Sequence, residues 1–370
     1  MKVVVLHPPL YPVNHSFFNE LGKYVELVVF SFGNQPGLHS QWKVEDYIQS
    51  DNNYELKIIK GKTNLDRFAV SYRTQLNPSF LFKVKKENPD IIISVAFWFP
   101  SLYVSFFNSI LKSKLIILTD AIKQTEKNNS KLRKTLRLFI SKKANAFIAG
   151  SDLTVSYLKE FFPKTTIKKS LQTIDVIEWK KDIDKLPNKS KLKEELGFSK
   201  KQITLLCVSN YIPLKNLEKL INEVALIHNC DLYLIGEGDL KPQFEIQIKA
   251  CNATNRIKLV NRQVGEQLKK YYKASDIFVF PSNRDTFGYV VVEALASGLP
   301  VICSENAGAS SLIEIEKNGY VVNPQNDFTS YINKTISNMQ SMSEKASIQI
   351  QKYTIENKAK SFFEILKNIK

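Results

Sequence analysis

The sequence is poor in the residues that build metal centres and disulfide frameworks. It has four cysteines and four histidines in 370 residues, and they are scattered, without a Cys-x-x-Cys pair or a Cys/His cluster. We therefore expect no metal site, and free thiols in a reducing compartment. Asp182-Ile183-Asp184 has the form of a metal-binding Asp-x-Asp motif. It lies in a charged stretch rather than at a strand end, so we expect no metal there either.

Long apolar runs are also missing. No uninterrupted apolar stretch reaches the length of a membrane span, and the residues after Met1 do not have the pattern of an export signal. We therefore expect a cytoplasmic protein. Peripheral attachment to the inner face of the cell membrane is the alternative that the charge of the chain leaves open.

The chain has a large excess of positive charge, formally +16. The densest run, residues 131–143, carries six basic residues and no acidic one, and Leu132, Leu136, Phe139 and Ile140 recur in it at helical spacing. Two interpretations of this amphipathic helix remain open. It lies on an anionic membrane, or it packs on a sheet with a solvated cationic face. Nucleic acid is not expected as a partner, because no recognised binding module surrounds the charge.

Short β-branched runs alternate with amphipathic stretches along the whole chain, a pattern typical of parallel sheets flanked by helices. We predict an α/β protein with two Rossmann-like, doubly wound domains that face an interdomain cleft. The first domain covers residues 1–178, a connector covers 179–200 and the second domain covers 201–352. Residues 353–370 form a helix that packs back on the first domain. Ligands of such sheets bind beyond the carboxyl ends of the strands.

The most informative segment places a carboxylate inside an apolar helix. Glu293 stands in the middle of residues 290–296, which are otherwise apolar and should be buried. An ionised carboxylate is costly to bury unless partners satisfy it. The loop before it, residues 285–288, opens a helix whose amides suit an anion. A ligand with both phosphate and hydroxyl groups would use both features; the alternative is a glutamate that caps a helix or pairs with a buried arginine.

A second candidate ligand is Lys215, which follows the predicted strand 203–208 and lies near the start of a helix. A cation is not favoured at a helix start by the helix dipole unless an anion is bound there. Lys215 is therefore predicted to bind phosphate. Gly236, after the predicted strand 232–235, permits the backbone to approach a ligand closely.

Residues 203–322 resemble the donor domain of the retaining family 4 glycosyltransferases, which have the GT-B fold. Asp285 and Glu293 match the spacing of the family's two acids, seven residues apart, with Asp in place of the usual first Glu. Further segments match the family pattern: Gly236-Glu237-Gly238, residues 268–282, Phe287-Gly288 and residues 293–301.

The resemblance implies a nucleoside diphosphate sugar as the donor. Glu293 would hydrogen-bond the ribose hydroxyls, Asp285 would lie against the transferred sugar, and Lys215 would neutralise the diphosphate leaving group. The backbone at Val264 would read the nucleobase, and Gly236 would lie beside the donor. The amides that face the sugar and the diphosphate would be those of Phe287, Gly288, Tyr289 and Val290.

The chain departs from the family pattern at two places. Ser209-Asn210 stands where the family has Gly-Arg, so one cation for the leaving group is missing unless Arg262 or Arg284 replaces it. Asn210 itself is expected to contact the donor. Asp120 follows a predicted strand where the family often has a histidine. It is either a catalytic residue or the cap of a helix.

Together these features predict a metal-independent, cofactor-free hexosyltransferase in which Asp120, Asp285 and Lys215 carry the chemistry. The enzyme would move a hexose, with retention, from a nucleoside diphosphate sugar to a growing surface glycan or a lipid-linked acceptor in polysaccharide biosynthesis. The alternative is a catalytically inactive sugar-nucleotide-binding or partner subunit of a glycan assembly system. Three aromatic residues at 97–99 form either an acceptor platform or part of the core.

Overall fold

The chain forms two compact units. The first comprises Met1–Leu171 and Ile355–Lys370, and the second comprises Gln172–Thr354. The unit boundaries therefore fall after residues 171 and 354, not after 178 and 352. The structure is a computed structural model that describes residues 1–33, 52–60, 77–126 and 130–369.

The first unit is built on parallel strands. They are β1 (Lys2–His7), β2 (Glu26–Ser31), β3 (Glu55–Ile58), β4 (Ile91–Val95), β5 (Lys114–Thr119), β6 (Ala146–Ala149) and β7 (Thr166–Lys169). Their order in the sheet is β3-β2-β1-β4-β5-β6-β7. The helices are α1 (Pro12–Leu21), α2 (Phe80–Glu87), α3 (Phe99–Leu111), α4 (Lys123–Glu126), α5 (Lys131–Lys143), α6 (Asp152–Phe161) and α15 (Ile355–Lys367).

Both faces of this sheet are covered, which explains why its central strands are apolar throughout rather than alternating. On one face α1 and α15 pack together, and the rings of Phe17 and Phe362 lie 5.2 Å apart. The other face is covered by α2, α3, α5 and α6, with Phe80, Val104 and Ile140 among the buried residues. The terminal helix α15 therefore completes the core of the first unit.

The second unit has a six-stranded parallel sheet. Its strands are β8 (Ile203–Val208), β9 (Cys230–Ile235), β10 (Ile257–Val260), β11 (Ile277–Phe280), β12 (Val301–Ser304) and β13 (Gly319–Val322). Their order is β10-β9-β8-β11-β12-β13. The helices are α7 (Val176–Lys185), α8 (Lys189–Glu195), α9 (Leu217–Ala225), α10 (Lys241–Ala250), α11 (Gly265–Ala274), α12 (Tyr289–Ala296), α13 (Phe328–Ser337) and α14 (Met339–Gln349).

Most of residues 179–200, expected as a connector, folds into the helices α7 and α8, and the whole stretch belongs to the second unit. Asp175 caps α7 by accepting a hydrogen bond from a backbone amide of its first turn. On α8, Lys189 and Lys193 pair with the buried carboxylate of Asp276, at 2.6 and 2.8 Å. The charge of this stretch therefore neutralises a buried acid at the start of β11, which composition alone did not show.

In each sheet the direction of winding reverses at one place. In the first unit the reversal lies between β1 and β4, and in the second unit it lies between β8 and β11. The loops that leave two such strands at their carboxyl ends separate to opposite faces and open a crevice, which is where doubly wound sheets bind ligands. The second crevice is lined by the loops after Val208 and Phe280.

Candidate functional site

The loops after β8 and β11 bring a lysine and an aspartate together. Lys215 ends a short 3-10 turn, Pro213–Lys215, and its Nζ donates to Asp285 Oδ2 at 2.5 Å. The other oxygen, Asp285 Oδ1, accepts from the amide of Phe287 at 3.1 Å. The lysine Nζ also lies 5.5 Å from the centroid of the Phe280 ring. Both charged side chains are largely buried, so the lysine ammonium is held in one position at the crevice.

This pair brings together two of the residues that the sequence predicted, but in an arrangement that it did not predict. Asp285 was expected against a sugar, whereas here it orients Lys215. The amide of Phe287, expected to face the ligand, is instead engaged by Asp285. An incoming diphosphate would compete with this carboxylate for the lysine.

Helix α12 begins beside the pair. Gly288 precedes its first residue with φ 98°, a left-handed conformation that side chains rarely adopt. A Cβ at this position would lie 3.0 Å from the ring of Phe280. The amides of Gly288, Tyr289 and Val290 stand at the helix start, where an α-helix has no acceptors of its own and the dipole is positive. The crevice thus offers a lysine and a helix N-terminus to an anion.

Glu293 lies one turn further along α12, part-buried. Its Oε2 accepts a hydrogen bond from the Tyr272 hydroxyl at 2.8 Å. Burial raises the pKa of Glu293 from its ordinary 4.5 to about 7, against the opposing effects of the Tyr272 hydrogen bond and the positive charge of Lys269. In the described part of the chain no arginine bonds this carboxylate, so the alternative of an ion pair with a buried arginine does not hold.

One hydroxyl leaves most of the hydrogen-bonding capacity of this carboxylate unused. A carboxylate has about four acceptor positions, and among the described residues only the Tyr272 hydroxyl donates to one of them. Tyr272 is itself held in place, because it is buried and its ring makes an edge contact with Trp179 at 5.6 Å between centroids. Glu293 is therefore a fixed, desolvated acceptor suited to a pair of neighbouring hydroxyls.

The loop after β9 lies against the loop after β8. A Cβ on Gly236 would come within 1.9 Å of the carbonyl oxygen of Ser209, so this packing alone requires glycine there. Beside it, Asn210 is exposed. Both residues lie at the carboxyl edge of the sheet, as predicted, but the structure gives Gly236 a packing role of its own.

Val264 and Arg262 follow β10, two strands away from β8. Val264 is exposed and precedes α11, and Arg262 is exposed with its guanidinium 3.8 Å from the Glu237 carboxylate. Neighbouring strands are about 4.8 Å apart, so the carboxyl ends of β10 and β8 lie about 10 Å apart along this edge. That lateral distance suits the span between the base and the phosphates of a nucleotide.

Asp120 lies in the first unit, directly after β5. It raises the pKa of Lys358 on α15, although burial dominates and lowers that pKa to about 8. The Lys358 ammonium lies 4.5 Å from the centroid of the Phe17 ring. Asp120 therefore has a cationic neighbour that the sequence did not identify.

Three polar residues were thus missed as parts of candidate sites: Tyr272, Lys269 and Lys358. Lys358 directly precedes Ala359 in the apolar stripe of the terminal helix, and this is the signal that could have drawn attention to it.

The sequence left the role of the aromatic residues at 97–99 open, and the structure favours the core. The ring of Phe97 contacts those of Phe147 and Phe162, with centroids 5.6 and 5.5 Å apart.

The Asp-x-Asp stretch lies on α7 and is engaged in ion pairs. Asp182 pairs with Lys185 at 3.0 Å and with Lys269 at 2.6 Å. Within the described ranges, no group of three or more His, Cys, Asp or Glu side chains is arranged to hold a metal ion.

Comparison with protein families identifies the second unit. Residues 188–353 match the family described as "Glycosyl transferases group 1". The chain carries a group 1 glycosyltransferase domain. This match includes Lys215, Asp285 and Glu293, so the crevice described above belongs to that domain.

Curated relatives match part of the chain. An uncharacterized glycosyltransferase of Methanocaldococcus jannaschii is 31% identical over 152 residues, which are 40% of this chain and 39% of the relative. The alpha-monoglucosyldiacylglycerol synthase of Acholeplasma laidlawii is 25% identical, over 46% and 44% of the two chains. The Escherichia coli UDP-Gal:alpha-D-GlcNAc-diphosphoundecaprenol alpha-1,3-galactosyltransferase is 28% identical, over 49% and 47%. The matches span less than half the length of each of these relatives.

Solved structures match over nearly the full length. HepE of Anabaena, solved in complex with UDP, has a TM-score of 0.78 at 18% identity and covers 99% of this chain and 100% of its own. A glycosyltransferase of Rickettsia africae has a TM-score of 0.76 at 17% identity, over 100% and 98%. The group 1 domain thus belongs to a chain with the GT-B fold, which confirms the fold class predicted from the sequence.

Proposed function

We propose that the protein transfers a hexose from a nucleoside diphosphate sugar, with retention of anomeric configuration. The observation that carries the proposal is the crevice of the second unit, where the Lys215–Asp285 pair, the start of α12 and the carboxylate of Glu293 lie along one sheet edge at the winding reversal. An anion site beside a fixed acceptor of hydroxyl hydrogen bonds is the pattern that a nucleoside diphosphate requires.

In this proposal each part of the donor has its own partner. The diphosphate binds Lys215 and the amides at the start of α12, displacing Asp285 from the lysine. The ribose hydroxyls donate to Glu293, and the base lies towards Val264 at the β10 end of the edge. The solved complex of HepE with UDP supports a uridine nucleotide as the first donor to test.

The chemistry rests on the leaving group. As the bond between the sugar and the diphosphate breaks, negative charge grows on the diphosphate, and Lys215 with the helix amides stabilises it without a metal. Double displacement by a retaining enzyme needs two carboxyl groups about 5–5.5 Å apart. We propose instead that the acceptor hydroxyl attacks from the face that the diphosphate leaves, and that its proton passes to the departing diphosphate. Asp285 would then be released towards the sugar, and Asp120 would act on the acceptor side.

The acceptor class is proposed from the names of the relatives. One acts, by its name, on a diphosphoundecaprenol-linked sugar, and another makes a glucosyldiacylglycerol. A growing glycan or a lipid-linked acceptor, in polysaccharide or glycolipid biosynthesis at the inner face of the membrane, fits both names. Screening nucleotide sugars that differ in the hexose identifies the sugar that is transferred.

The test is a thermal-shift screen of nucleotide sugars followed by transfer and donor-hydrolysis assays with the best donor, because a true donor stabilises the protein by mass action. Retention is read from the anomeric configuration of the product by NMR. Lys215→Ala and Glu293→Ala should lose turnover, whereas Lys249→Ala, on the exposed side of α10, should not. Nucleotide binding without any turnover would support the inactive-subunit alternative. Normal turnover of the first two variants would refute the site.

A further inference from the structure

The helical layer formed by α2, α3, α5 and α6 in the first unit exposes an unusual amount of aromatic surface. All the strongly exposed phenylalanines in the described part of the chain lie on three of these helices, α2, α3 and α6: Phe82, Phe106, Phe107 and Phe161. Single exposed apolar side chains are normal on a soluble protein, but a group of large ones on one layer indicates an interaction surface.

Several exposed apolar residues lie where α3 meets α5. On α3, Phe106, Phe107 and Ile110 share one helical stripe and are 60%, 43% and 54% exposed. The Phe106 ring lies 4.5 Å from the ring of Phe139 on α5, and Leu132, two turns before Phe139, is 66% exposed. These apolar residues and the exposed lysines of α5 are called the α3–α5 surface below.

Of the two interpretations of α5 that the sequence left open, packing on the sheet accounts for part of its apolar face. Ile140 is buried against the sheet, and Leu136 is only partly exposed. The apolar face of α5 is therefore mostly used for folding, and the apolar part of the α3–α5 surface comes mainly from α3. A sequence scan of α5 alone would not find this surface.

Unpaired positive charge borders the same patch. Lys131, Lys134, Lys142 and Lys143 are exposed on α5, and α5 contains no acidic residue. None of these four lysines forms an ion pair with any carboxylate in the described residues. The combination of exposed aromatic residues with a row of unpaired lysines is the composition that binds anionic interfaces.

We propose that the α3–α5 surface docks on an anionic lipid bilayer, with the phenylalanines among the headgroups and the lysines on lipid phosphates. The positive charge favours an anionic bilayer over a second copy of the chain as the partner. In a two-fold contact through this surface, the lysines of one copy would face those of the other. Nucleic acid would satisfy the lysines but leave the apolar stripe of Phe106 and Ile110 without a partner. No helix in the described ranges is long and apolar enough to cross a bilayer, so this would be surface attachment.

The test is co-sedimentation with vesicles of phosphatidylcholine alone and of phosphatidylcholine with phosphatidylglycerol, without any nucleotide. The protein should bind the anionic vesicles, release at high salt and bind neutral vesicles weakly. Lys134→Gln with Lys142→Gln should weaken binding by about 25-fold, since each lysine near the surface contributes about fivefold. Phe106→Ser with Ile110→Ser should weaken it by about tenfold or more, because buried apolar area is lost.

Matched controls lie on the second unit. Lys249→Gln with Lys345→Gln removes the same charge from exposed positions, and Ile246→Ser with Ile348→Ser removes exposed apolar residues. Both should bind as the wild type does. Equal losses in the lysine control would mean that net charge alone drives binding and would overturn the proposal.

Two other results would also overturn the proposal. One is that a polynucleotide binds the protein more tightly than the vesicles do and releases it from them. The other is that the protein does not bind vesicles but forms a dimer, which Phe106→Ser dissociates. Circular dichroism and melting temperatures show whether each variant is folded. The proposal is independent of the proposed transferase activity, because vesicle binding is measured without donor or acceptor. Loss of turnover in the Lys215 variant would leave it untouched.

Discussion

Replacing Glu293 by glutamine should stabilise the unliganded protein at alkaline pH while weakening its binding of nucleotide. The pKa of Glu293 is raised from 4.5 to about 7, so folding disfavours the ionised carboxylate. Each unit of pKa difference corresponds to about 1.4 kcal/mol. Keeping the side chain ionised in the folded protein therefore costs up to about 3.5 kcal/mol, an upper bound because the group is partly exposed.

The sign of the pH dependence follows from linkage. Below the unfolded pKa the carboxyl is protonated in both states, so Glu293 contributes no cost. As the pH rises through the window from about 4.5 to about 7, the unfolded chain ionises first and the folded protein loses stability. Glutamine carries no charge at any pH and still accepts the hydrogen bond of Tyr272. The stability advantage of the variant should therefore be small at about pH 5 and reach about 2–3 kcal/mol at about pH 8.5.

The assay is urea unfolding of the wild type and of Glu293→Gln at the two pH values, followed by nucleotide titration. Glu245→Gln, at an exposed position in the middle of α10, is the control and should change neither quantity. Loss of charge-assisted hydrogen bonds to ribose should weaken nucleotide binding by about 2 kcal/mol, or about 30-fold. If Glu293→Gln were less stable than the wild type at the alkaline pH, the carboxylate would be satisfied without ligand and the reasoning would fail.

Three further predictions concern other parts of the site. Lys215→Ala should lower kcat by about a hundredfold or more in a transfer assay, because charge on the leaving group loses its cation; an unchanged kcat would contradict this. Gly288→Ala should destabilise the fold by about 1–3 kcal/mol in chemical denaturation, since its φ is 98° and a Cβ would meet Phe280; wild-type stability would show that the turn relaxes. Asp120→Asn should reduce kcat but leave the nucleotide Kd unchanged, because the donor residues lie in the other unit; a weakened Kd would count against its acceptor-side role.

The sequence predicted most of the fold because the strands of both sheets are short, β-branched and separated by amphipathic stretches. The predicted strand 203–208 coincides with β8. The helices in residues 179–200 could not be predicted in the same way, because lysines of this stretch pair with a carboxylate that is distant in the sequence. Lys189 and Lys193 neutralise Asp276, more than 80 positions away, and local composition does not predict such a pairing.

In the candidate site, too, the sequence predicted local features but not the contacts between distant residues. A carboxylate inside an apolar helix was enough to select Glu293. The resemblance to the family added Asp285, because the two acids of the family pattern lie within a single local segment. The Lys215–Asp285 pair joins residues 70 positions apart, and the Tyr272–Glu293 hydrogen bond joins two different helices. Contacts of this kind depend on how strands are ordered in the sheet, which the sequence indicates only as a pattern of alternating elements.

The role of Glu293 as the ribose acceptor is tested most directly by a double-mutant cycle on the ligand. Isothermal titration would compare the nucleoside diphosphate that gives the largest thermal shift with its 2′,3′-dideoxy analogue, against the wild type and Glu293→Gln. The wild type should bind the analogue much more weakly than the parent nucleotide, and the variant should bind both alike. An equal loss of affinity for the analogue in the two proteins would mean that the ribose hydroxyls bind elsewhere.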